Sequence, residues 1–209
     1  MSTLRPFRFI PEGAGGIFRY NASSSEPTER IEHVGTAECE TCVGVYFRTD
    51  DDRCFVGHIA ASVKDEEDGS HSFLPTPEIG EDLRREIAEF LTRSATTEDW
   101  TYSKQQMRAE AVIVCPHEYN SQGQKQTGWY VIRALEDFLE CPGALRPRSD
   151  AHGFIASVQH GLVTYLSHDP VKHSAMAPVE SVGWREVFVP RAKWMGIGLC
   201  APVAGRDHC

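Results

Sequence analysis

The chain has 209 residues, 41% hydrophobic and 24% charged, with a net charge of −9. That length suits one ordinary domain with an added tail, and the hydrophobic share supports a sizeable core rather than wholesale disorder. The acidic balance argues against nucleic acid as a partner, because a phosphate-binding surface carries excess Lys and Arg, and no apolar run approaches the ~20 residues that span a bilayer.

Residues 1–30 are rich in Pro, Gly and Ser and read as a flexible N-terminal segment. Within it, Gly13 to Gly16 reads as a turn leading into a short strand at Ile17 to Tyr20, and Asn21 to Glu29 as a linker. The glycines are not a phosphate loop, since no Gly-Lys-Ser/Thr follows. Met1 to Phe9 lacks the apolar stretch of a signal peptide. Together with an odd count of seven cysteines, this points to the cytoplasm and to free thiols. Cys54, Cys115 and Cys200 are expected as small core residues.

Ile31 to Gly35 is a strand candidate that delivers the chain to Thr36. Two apolar runs follow, Val43 to Phe47 and Cys54 to Ala60, around an Asp-rich turn at Thr49 to Arg53. β-Branched and aromatic residues bounded by an Asp cluster predict a hairpin. Cys42 stands at the mouth of its first strand and His58 lies inside the second. Pairing around the turn brings both side chains to one end, where a thiol and an imidazole make a nucleophile and its base. The expectation is that they share a pocket open to solvent.

Lys64 to His71 reads as a charged loop. Apolar residues at Ile79, Leu83, Ile87, Phe90 and Leu91 predict a helix over Glu78 to Arg93, and Ser94 to Tyr102 a polar connection. Ala109 to Cys115 predicts a buried strand, and Val131, Leu135, Phe138 and Leu139 a second helix over Trp129 to Leu139, stopped by Pro142-Gly143. Arg146 and Arg148 fall in a loop. A hairpin at Phe154 to Val158 and Gly161 to Leu166 follows, then a strand at Trp184 to Val189 and an apolar, glycine-rich stretch from Lys193. His152, His160, His168 and His173 are expected in solvated loops. This order predicts an α/β (α+β) protein, a layered mixed β-sheet packed with two main helices.

The spacing Thr36, Cys42-Val43-Gly44-Val45 and Val56-Gly57-His58-Ile59 resembles the CheD family of chemoreceptor glutamine deamidases. That family shares its fold and Cys-His chemistry with the catalytic domain of cytotoxic necrotizing factor toxins. The likeness covers residues 31–166, leaving 1–30 as an N-terminal segment and 167–209 as a C-terminal extension packed on the same domain. The sequence differs from the family at Glu40-Thr41-Cys42, where Gly-Ser-Cys is usual, and at Cys115-Pro116-His117, where a Gly-Gly pair is usual. The resemblance implies Cys42 as nucleophile, His58 as base and Thr36 as the residue orienting His58. It implies a protein or small-molecule amide as substrate and no cofactor. Backbone N–H groups at Thr41 to Val43 are the expected oxyanion donors, and His117 is expected to line the same sheet end.

A different class of function competes for these residues. Cys39, Cys42, Cys54 and His58 have the number and type of ligands of a structural zinc site, which would make the chain a non-catalytic binding protein. Against it, Cys54 and His58 lie some ~13 Å apart along a strand.

Overall fold

In a computed structural model the described residues are 4–20, 32–59, 63–64, 71–167 and 184–188. β1 (Arg5–Phe9) enters one sheet and β2 (Ala14–Arg19) another. β3 (His33–Thr36) returns to the first, and the hairpin β4 (Val43–Arg48) and β5 (Arg53–Ile59) forms the middle of the second. β6 (Val63–Lys64) and β7 (His71–Ser72) pair with each other. Then come α1 (Pro77–Thr97), α2 (Lys104–Ala109), β8 (Val112–Val114), α3 (Thr127–Phe138), β9 (Ala151–Ser157), β10 (Val163–Ser167) and β11 (Trp184–Phe188).

The larger sheet has five strands in the order β10-β9-β3-β1-β11, with parallel and antiparallel pairs, and the smaller has four in the order β2-β5-β4-β8, all antiparallel. Alternation along β4 explains the layers. Val43, Val45 and Phe47 join Leu83, Ile87, Leu91, Val131 and Leu135 in a core beneath α1 and α3. Tyr46 points the other way and meets Phe154 of the larger sheet at 6.3 Å, while its hydroxyl donates to the Ser157 carbonyl at 3.2 Å. The result is helix, sheet, sheet. The layered α/β expectation holds, with two sheets face to face where the sequence suggested a single mixed one.

Several boundaries move for identifiable reasons. α1 runs on to Thr97 because Ser94 continues its buried face. α2 fills the stretch between the predicted polar connection and the predicted strand, taking only Ala109 of the latter, and it is nucleated by a capping box between Ser103 and Gln106. β1 and β2, read as a flexible segment with one short strand, each take a place in a sheet: β1 lies between β3 and β11, and β2 is the edge beside β5. β6 and β7 fall in what reads as a charged loop. Several expectations lie outside the described residues: the linker at 21–29, the loop histidines His168 and His173, the core residue Cys200, and the C-terminal extension except Ser167 and 184–188, including its apolar stretch from 193. Among the described residues no helix is long and apolar enough to cross a membrane.

Candidate active site

β3 ends at Thr36 and the chain turns through Ala37 to Thr41 before entering β4. This loop is held by β9. The Cys39 N–H donates to the His152 carbonyl at 2.7 Å, and the Glu38 N–H donates to His152 Nδ1 at 3.3 Å. Glu38 adopts a left-handed φ of 61°, uncommon for a non-glycine residue. His152 is therefore not a solvated loop residue: β9 begins at Ala151, and His152 is buried. Close approach of the strands makes this possible, since a Cβ on Gly153 would meet the Thr36 carbonyl oxygen at 2.3 Å.

The pairing of β4 with β5 places Gly44 directly opposite His58. Directly opposed residues share a face, so His58 points to the side of β4 that Gly44 and Tyr46 face. Cys42 comes immediately before β4, at the same end of the hairpin. Gly44 leaves room for what gathers there: a Cβ at that position would meet Thr36 Cγ2 at 3.0 Å and Cys39 Sγ at 3.1 Å.

Thr36 bridges the sheets at this point. Its Oγ1 lies 2.8 Å from the Ile10 carbonyl and 2.7 Å from His58 Nδ1. A carbonyl can only accept, so the threonine hydrogen goes to Ile10. The imidazole must then carry its proton on Nδ1 and donate to Thr36, which leaves a lone pair on Nε2. His58 Nε2 is buried and has no hydrogen-bond partner among the described residues. Burial pushes the ring down to about 4, against the opposing pull of the Glu12 carboxylate and the Ile10 carbonyl. At neutral pH His58 is an uncharged base in a fixed tautomer.

This end of the sandwich is covered by the turn between β1 and β2. The Ala14 N–H donates to the Pro11 carbonyl at 3.0 Å, and Gly13 takes φ +69°, the left-handed conformation a type II turn needs at its third position. The Gly13 N–H is tied to the His58 carbonyl at 2.9 Å. Glu12, at the exposed corner, accepts a hydrogen bond from Cys42 Sγ at 3.1 Å. The expectation of an open pocket is not met: Cys42 is 4% exposed and His58 2%. The sulfur nonetheless lies one side chain below the surface, because the group it touches is an exposed carboxylate.

Of the residues singled out from sequence, Thr36, Cys42 and His58 converge on one end of the sandwich. Thr41 is half-buried in the loop, and Val43 opens β4 with its side chain in the helix-side core. His117 follows β8 at the same sheet end, but its side chain is exposed and makes no hydrogen bond to Cys42, His58 or Thr36 among the described residues. The zinc set does not assemble. No three His, Cys, Asp or Glu side chains among the described residues are placed to hold a metal ion, because Cys54 and His58 are separated along β5. None of the five described cysteines forms a disulfide. Burial pushes the thiols of Cys39 and Cys54 up, and that of Cys115 up to about 12, so these three stay protonated.

Glu12 and His152 were not anticipated. Pro-Glu-Gly signals a turn, but nothing local says that a turn 30 residues before Cys42 will cover it. For His152 the signal was the apolar neighbour pattern of β9, which begins three residues earlier than Phe154 suggests. Among known proteins, no family model matches this chain and no curated protein matches it.

Proposed function

We propose that this chain is a cysteine-dependent amidohydrolase of the cytoplasm, acting on a glutaminyl side chain or a related amide of a protein or small molecule. Cys42 Sγ adds to the carboxamide carbon as its proton passes to His58 Nε2. The oxyanion is received by backbone N–H groups at Thr41 to Val43. Nε2 returns the proton to the leaving nitrogen, ammonia departs, and a thioester remains. Water then attacks the thioester, again losing its proton to Nε2, and releases the acid and the thiol. The chemistry calls for no cofactor.

The observation that carries this reading is the chain of hydrogen bonds from His58 Nδ1 through Thr36 to the Ile10 carbonyl. It fixes His58 with a bare Nε2 at the end of the hairpin where Cys42 stands, and a positioned base of this kind contributes about 10²- to 10⁴-fold to proton transfer. A buried polar atom without a partner is uncommon and calls for a role. The neutral ring also means that the resting pair is thiol and imidazole rather than an ion pair.

Alkylation with iodoacetamide, followed by peptide mass mapping, tests the assignment without knowledge of the substrate. Cys42 should react ahead of Cys39, Cys54 and Cys115, and His58→Ala should slow it. Equal reaction of all four cysteines, or indifference to His58→Ala, would remove the base from the account. The burial of Cys42 and His58 favours a second reading, a non-catalytic binding protein on the same fold. In that case Cys42→Ser changes neither ligand binding nor any hydrolysis.

A further inference from the structure

Glu12 is held against the proposed nucleophile. Its carboxylate accepts the Cys42 S–H at 3.1 Å, and its charge also acts on His58, so one acid group faces both the nucleophile and its base. A glutamine deamidase releases the γ-carboxylate of a glutamate, and Glu12 presents that same group from the corner of a tight exposed turn. We propose that Glu12 is a built-in stand-in for product, and that it marks the subsite for a glutaminyl side chain carried on an exposed turn of a protein. This inference rests on the deamidase reading above.

Two consequences follow from the geometry. The carboxylate covers the sulfur, so the closed arrangement is self-inhibited until a substrate turn displaces Pro11 to Gly13. A glutamine at position 12 would turn the stand-in into a substrate. Its carbonyl oxygen would take the S–H bond, since the amide nitrogen has no lone pair to offer, and the carboxamide carbon would lie beside Sγ. Attack then forms the C–S bond, the thiol proton reaches the leaving nitrogen through His58 Nε2, and ammonia leaves. Water hydrolyses the thioester to give glutamate at position 12 and regenerate the Cys42 thiol.

The test is Glu12→Gln in the full chain, incubated at neutral pH and examined by mass spectrometry of the peptide containing residue 12. The expected result is the mass gain of amide-to-acid conversion, absent when Cys42→Ser or His58→Ala is added. Retention of glutamine, or equal conversion in the double variants, overturns the inference. Glu12→Ala provides a second arm: removing the carboxylate that covers the sulfur should speed iodoacetamide labelling of Cys42 severalfold. An unchanged labelling rate also overturns it. Hydrolysis of glutaminyl peptides by Glu12→Ala separates the two levels. If the peptides are turned over while the amide introduced by Glu12→Gln persists, the stand-in role fails and the deamidase reading stands. If neither reacts, both fail.

Discussion

At its turn the β4–β5 hairpin pairs Asp50 with Arg53, and Arg53 reaches on to the Glu98 and Asp99 carbonyls at 2.8 and 3.0 Å. The Thr49 carbonyl there accepts from the N–H groups of Thr101 and Tyr102 at 3.1 and 2.9 Å. Burial alone would raise the Asp50 carboxyl, but the Arg53 and Asp52 hydrogen bonds hold it below its usual range. At the other end of the same two strands, His58 keeps an unanswered nitrogen, Glu38 is in a left-handed conformation, and a thiol rests on a carboxylate. The turn end also buries unpartnered atoms, the Thr49 hydroxyl, Arg48 Nε and Trp100 Nε1, but none of them belongs to an imidazole or a thiol. The contrast separates an end built for stability from one whose chemistry is left incomplete.

The largest expected effect lies at the incomplete end. The folded His58 ring, at about 4, sits below its ordinary 6.5, so the unfolded chain binds the proton first as pH falls. This contribution is fully present above pH 6.5 and is lost between 6.5 and about 4. It amounts to about 3 kcal/mol across that window. Urea unfolding of wild type and His58→Gln at pH 7.5 and 4.5 should show a smaller loss in the variant. His33, also lowered by burial, is present in both and cancels. Equal losses would mean that His58 is already charged or exposed when folded.

At the stable end, Arg53→Met leaves the Asp50 charge half-satisfied and should cost about 2 kcal/mol, less than for a fully buried pair because both groups touch solvent. Cys42 labelling should be unaffected; if it changes, the two ends are coupled. Thr36→Val removes the bridge between the sheets and should cost about 1.5 kcal/mol while slowing Cys42 labelling, with Thr36→Ser restoring the rate. If the rate is unmoved by valine, the hydroxyl serves packing alone. Gly44→Ala pushes a methyl toward Thr36 and Cys39, which should cost about 1 kcal/mol in urea unfolding. No cost there would show that the space opposite His58 is looser than the contacts imply.

What the sequence made legible was local. The hairpin, α1 and α3 follow from periodicities that repeat over several residues, and Cys42 and His58 could be found because pairing within one hairpin is set by its turn, whereas Thr36 came only from the family resemblance. Contacts between distant segments were not legible. β1 reads as a proline-bearing tail because its neighbours β3 and β11 are supplied from later in the chain. The Thr36 bond to His58 is a contact between two sheets, and no alternation pattern encodes which faces meet. Glu12 and His152 reach the site the same way, from turns and strands whose own residues announce nothing about it.

The account depends most on which nitrogen of His58 carries the proton. Long-range ¹⁵N–¹H correlation spectra of the imidazole at neutral pH report this directly. The prediction is a neutral ring protonated at Nδ1, with Nε2 bare. A ring protonated at Nε2, or charged at neutral pH, would contradict the assignment of His58 as the base for Cys42.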